Sequence, residues 1–81
     1  MSNMEVEQRI IQIMASTFGV DASQINSTSR RSDLRNWDSL GQLRLVMQLE
    51  AEFGVSFSID EIPELNSVEE IKTKLIALKS L

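Results

Sequence analysis

The chain has 81 residues, 42% hydrophobic and 5% aromatic, with a formal charge of −4. That length allows one small domain with a modest core, and plentiful Leu, Ile and Val with a single proline, Pro63, favour a helical bundle over a sandwich or barrel. The chain lacks cysteine and histidine, which excludes disulfides, Cys/His zinc sites, thiol nucleophiles and Ser-His triads.

Val6, Ile10, Ile13 and Met14 recur at helical spacing, so a first helix is predicted to start at a Ser2-x-x-Glu5 capping box and end at Gly19. From Val20 to Trp37 no period is sustained. Asp21–Ile25 reads as a short helical turn, with Ile25 and Leu34 pinning the segment to the core. A connection this long is unusual in so small a domain, and such loops are often functional. A second helix is predicted from Ser39 to Phe53, capped by Asp38 and stopped at Gly54. Leu43, Leu45, Val46, Leu49 and Phe53 spread over its inward arc.

Ser58-x-x-Glu61 opens a short third helix that Pro63 and Asn66 keep brief. Ser67-x-x-Glu70 starts the last, with Val68, Ile71, Leu75 and Leu78 inward. Lys72, Lys74 and Lys79 complement the dipole of its later turns. Val55-Ser56-Phe57 is too short for a strand and has no partner strand. The predicted fold is all-α: a four-helix bundle with a short third helix and a long loop between helices one and two, forming one domain over residues 1–81.

Charge is unevenly spread. Residues 1–37 are balanced, and residues 38–81 hold the whole −4. An acidic second half points away from nucleic acid and towards partners with basic patches. Arg30, Arg31 and Arg35 cluster in the loop, but no basic helix follows, which argues against a helix-turn-helix DNA binder. Arg30-Arg31-Ser32 reads as a solvated loop before it reads as a kinase site. The N-terminus lacks the basic start and apolar run of a signal peptide, and no apolar stretch approaches the roughly 20 residues of a membrane span. A soluble, cytoplasmic monomer is expected. No acid/base pair and no metal set is visible, so no catalytic residues are assigned and no enzyme is expected.

The most informative stretch is Asp38-Ser39-Leu40, which places a serine hydroxyl on the first turn of an amphipathic helix. With Asp38 as the cap, Ser39 lies beside unpaired backbone N–H groups and the positive end of the dipole. A phosphate joined to that serine would sit where helices hold anions best. Leu40 and Met47 lie at one margin of the inward arc, beside Arg44 and Ala51. They read either as core or as a partner-facing apolar stripe, and periodicity leaves both open.

Asp38-Ser39-Leu40, Leu45–Gly54 and Ser67–Ile71 together resemble an acyl carrier protein, with the likeness covering nearly the whole chain. The resemblance implies a four-helix bundle whose serine, here Ser39, receives 4′-phosphopantetheine from coenzyme A through a Mg²⁺-dependent phosphopantetheinyl transferase. It implies a non-catalytic carrier of acyl thioesters for fatty-acid, polyketide or other acyl biosynthesis. The thiol, absent from this chain, would come with the arm. By the same resemblance Asp38 belongs to the cofactor site and the transferase's recognition surface. Leu40, Arg44, Met47 and Glu50 belong to the surface that meets acyl-transferring or acyl-modifying enzymes.

Several positions depart from the family pattern. Many members carry acidic residues along helix two that meet basic patches on partner enzymes; here Gly41, Arg44, Glu50 and Ala51 stand at those positions, and only Glu50 is acidic. Arg44 reads either as a solubilising residue or as a group that repels basic partner surfaces, the mark of a carrier with its own dedicated enzymes. Phe57, Ile62 and Ile71 stand where smaller residues commonly line the space for an acyl chain, so weak sequestration of long chains is expected. The Asn36-Trp37 pair resembles carriers of specialised pathways. A peptidyl or aminoacyl carrier is the runner-up, although Asp38-Ser39 differs from its usual G-G-x-S. A helical adaptor without a prosthetic group is the competitor from another class.

Overall fold

Both ends of the first helix are fixed by local chemistry. Ser2 accepts a hydrogen bond from the Glu5 N–H at 3.1 Å while the Glu5 carboxylate accepts from the Ser2 N–H, the reciprocal pairing of a capping box. Gly19 closes the helix in the left-handed region at φ 68°, a conformation open to glycine without a Cβ penalty. The computed structural model describes residues 2–79, and the first helix, α1, spans Asn3–Phe18. Helix α2 spans Ser39–Phe53 and α3 spans Val68–Lys79, with 3-10 turns at Ala22–Gln24, Arg31–Asp33 and Ile62–Glu64. The fold is all-helical, as the composition favours, and the described residues form no strand, only one isolated bridge between Arg30 and Ser67.

Val6, Ile10, Met14 and Phe18 of α1, Leu45, Val46, Leu49 and Phe53 of α2, and Val68, Ile71 and Leu75 of α3 form the core. Loop residues Ile25, Trp37, Phe57 and Leu65 complete it, and Leu34 packs half-buried against it. Arg9 meets Glu52 at 3.1 Å, and the Asn36 amide beside α2's start donates to the Phe18 carbonyl at α1's end. Helices α1 and α2 are therefore antiparallel, which brings the end of α1 beside the start of α2.

Three expectations need correction. Leu43 is 54% exposed, because Gln42 takes the inward place and the next residue turns away by about 100°. Leu78 is 40% exposed. Val68 N–H bonds to the Ser29 carbonyl beyond α1's end, whereas Lys72 reaches Glu7 near α1's start, so α3 runs back along α1. Six further residues then carry Leu78 past the last turn that α1 offers.

The third correction concerns the short helix expected after Ser58. The predicted capping box is present: Ser58 N–H donates to Glu61 at 2.8 Å, and Glu61 N–H returns a bond to Ser58 Oγ. That backbone bond, followed by Lys74, holds the Glu61 carboxyl below its usual range. The box nevertheless opens only a turn and the 3-10 segment Ile62–Glu64. Pro63 has no N–H with which to continue an α-helical ladder, and the carbonyls of Ile62 and Leu65 are drawn to Gln42 instead.

Candidate prosthetic-group attachment site

The segment that delivers the chain to Ser39 is tied down at every step. Asn26 starts a turn closed by a bond between its N–H and Ser29 Oγ at 2.9 Å. Arg31 N–H bonds to the Asn66 carbonyl, joining this loop to the entry of α3, and Arg31 Nε donates to the Trp37 carbonyl at 3.1 Å. Asn36 Nδ2 donates to the Phe18 carbonyl at 2.8 Å, satisfying an otherwise orphaned acceptor at the end of α1. Trp37 is buried and stacks on Phe18 with ring centroids 5.6 Å apart.

Gln42 links this loop to the segment after α2. Its Oε1 accepts from Trp37 Nε1, and its Nε2 donates to the Ile62 carbonyl at 2.8 Å and to the Leu65 carbonyl at 3.0 Å. A buried carboxamide with both ends satisfied joins the start of α2 to the loop residue before its cap and to the segment 20–23 residues further on. Gly41 sits beside it because the loop passes too close for a side chain. A Cβ there would overlap the Asn36 carbonyl oxygen and approach the Phe18 ring to 3.1 Å. The missing acidic residue at this position therefore follows from packing.

On this platform Asp38 caps α2, its Oδ1 accepting from the Gly41 N–H at 2.8 Å, worth about 1 kcal/mol. Gln42 N–H takes the Asp38 carbonyl, so the N–H groups of Ser39 and Leu40 are the first-turn donors left facing outward. Ser39 is the first residue of α2 and is exposed, and no hydrogen bond among the described residues engages its hydroxyl.

The family model described as the phosphopantetheine attachment site matches residues 8–75. The acyl carrier protein of Solidesulfovibrio magneticus is 31% identical over 67 residues, covering 83% of this chain and 86% of that relative. Acyl carrier proteins of Chlorobium phaeobacteroides and Chlorobium phaeovibrioides are 30% and 31% identical over 70 residues, covering 86% of this chain and 90% of each relative. The chain belongs to the acyl carrier protein family.

The group that this family bears is 4′-phosphopantetheine, and the residues present fit it. An acyl carrier protein needs a serine whose oxygen is free for esterification, and Ser39 is exposed at the positive end of α2. The other residues assigned from sequence divide into two groups. Leu40 is 57% and Met47 66% exposed, so neither belongs to the core, and Arg44 is exposed with no ion-pair partner among the described residues. With the exposed Leu43 they lie on the solvent side of α2. Glu50 differs: it is half-buried, and its Oε2 accepts from the Phe57 N–H at 2.9 Å, fixing the turn after α2.

Of the residues expected to fill the acyl-chain space, Phe57 and Ile71 are buried, and Ile62 is half-buried against the core. Sequence reasoning missed the anchoring roles of Asn36, Trp37, Gly41 and Gln42. One sign was available for Gln42: steps of about 100° place this polar residue on the same arc as Leu45, Val46 and Leu49.

Proposed function

We propose that this protein is a non-catalytic acyl carrier, with one carrier domain over residues 1–81, which holds acyl intermediates on a 4′-phosphopantetheine arm joined to Ser39. The observation that carries this reading is the exposed Ser39 hydroxyl on the first turn of α2 in a chain of this family. When bound, the arm supplies the thiol on which acyl groups are held as thioesters. Ser39 provides the esterified oxygen, and a phosphopantetheinyl transferase supplies the base that takes its proton. Asp38 caps the helix and faces that transferase.

Leu40, Arg44 and Met47, with Glu50 at the edge, form the surface on which acyl-transferring and acyl-modifying enzymes dock in turn. Tethering raises the effective concentration of cargo at each docked enzyme. The carrier acts as a cytoplasmic monomer, and the four-helix bundle of the family is represented here by α1, α2, the 3-10 turn at Ile62–Glu64 and α3.

Protein isolated from its source cells should show a mass adduct that neutral hydroxylamine trims by one acyl group, leaving the arm. Release of an amino acid would make it an aminoacyl carrier, and the absence of any arm would leave a helical adaptor. Phe57 and Ile71 are buried in the core and Ile62 is half-buried against it, so the cargo stays near the surface. Core amide shifts should therefore be similar for short- and long-chain acyl forms. Large shifts with long chains alone would refute this.

A further inference from the structure

The whole chain is acidic, yet the stretch of sequence around Ser39 is basic. Residues 30–44 hold four arginines against two aspartates, within a chain whose net charge is −4. Both aspartates accept from backbone N–H groups, Asp33 from that of Arg30 at 3.0 Å and Asp38 from that of Gly41 at 2.8 Å. Arg31 is held at the Trp37 carbonyl, two residues before Ser39. Arg35 and Arg44, on either side of Ser39 in sequence, are exposed and without ion-pair partners among the described residues.

The two carboxylates of α2 itself are engaged elsewhere: Glu52 pairs with Arg9, and Glu50 accepts from the Phe57 N–H. Arg44 shares α2 with an apolar stripe of Leu40, Leu43 and Met47, each more than half exposed. Their i, i+3, i+7 spacing keeps them on one side of α2. Dividing the chain at residue 38 conceals this, because it assigns Arg31 and Arg35 to one half and Arg44 to the other.

The geometry points to a partner enzyme whose docking face is an apolar patch rimmed by aspartate or glutamate, the reverse of the basic face that the carrier family's acidic helices meet. This deepens the carrier reading and rests on it. The apolar stripe contributes contact area, and Arg35 and Arg44 set which partners are accepted, since like charges facing each other across an interface are strongly disfavoured.

The test uses the unmodified ¹⁵N-labelled chain, so its result does not depend on arm attachment. The probes are an acyltransferase of a general fatty-acid synthase with its basic docking residues intact, and the same enzyme with those residues changed to glutamate. The charge-reversed enzyme should bind about tenfold more tightly, with amide shifts at Leu40, Arg44 and Met47, and should weaken as salt rises. Arg35→Glu combined with Arg44→Glu, both exposed positions, should reverse the preference while leaving the helical circular dichroism unchanged. Equal or tighter binding to the intact basic enzyme would overturn the inference, as would a double variant with unaltered preference. Arm attachment at Ser39, followed by intact mass on the same preparation, tests the carrier reading separately.

Discussion

Gly41→Ala is expected to destabilise the protein by roughly 2 kcal/mol and to displace the loop that leads to Ser39. The added Cβ overlaps the Asn36 carbonyl oxygen, a backbone atom that cannot rotate aside, and touches the Phe18 ring. Overpacking of this kind costs about 3 kcal/mol, of which roughly 1 kcal/mol is offset by alanine's better helix propensity. Because Asn36 and Trp37 both lean on Phe18, the shift should reach the Trp37 ring and change its fluorescence and near-ultraviolet circular dichroism. Gly19→Ala and Gly54→Ala are the controls. They have open space around them and positive φ, so each should cost about 1 kcal/mol without moving Trp37. A Gly41→Ala variant as stable as the wild type, with unchanged Trp37 emission, would show that the close approach is absent in solution.

The second large effect is expected at Gln42. Gln42→Leu keeps much of the volume but removes the acceptor for Trp37 Nε1 and the donor shared by two carbonyls. Trp37 Nε1–H and the Leu65 carbonyl lose their partner, while the Ile62 carbonyl keeps the Leu65 N–H at 3.2 Å. At roughly 1–3 kcal/mol for each group left unsatisfied, with part recovered by water entry, a net loss of about 3 kcal/mol follows. Trp37→Phe removes only one of these bonds and should cost less, and the two changes should not add, since they share a contact. Denaturant unfolding of the two single variants and the double variant measures this coupling. A Gln42→Leu midpoint within about 0.5 kcal/mol of the wild type would remove Gln42 from the architecture of the site.

These two positions mark what local pattern alone does not reveal. The helix ends were legible because caps are local: Ser2 with Glu5, Asp38 with Gly41, and the glycines at 19 and 54 act within a few residues of one another. The position of Ser39 on the first turn of α2 was legible for the same reason, since a cap followed by an apolar run fixes where a first helical turn begins.

Periodicity served less well where the apolar arc was wide. Leu43 and Leu78 satisfy the spacing rule and are nevertheless exposed, one because Gln42 faces inward beside it, the other because α1 ends first. The Ser58–Glu61 box formed as expected, yet Pro63 and the pull of Gln42 on two carbonyls left only a 3-10 turn. The Asn36–Phe18 and Gln42–Leu65 bonds join residues 18 and 23 apart, beyond the reach of any local motif. The site thus combines a locally encoded helix start with a loop held by long-range contacts.

We propose Ser39 as the sole point at which the arm joins this chain. Intact mass after incubation with coenzyme A, Mg²⁺ and a broad-specificity phosphopantetheinyl transferase, with Ser39→Ala alongside, decides it. Ser39 is exposed on the first turn, so the variant should keep wild-type helicity and stability to within about 0.5 kcal/mol. One phosphopantetheine on the wild type and none on the variant is the predicted result. Modification of both proteins, or of neither with several transferases, would contradict the account.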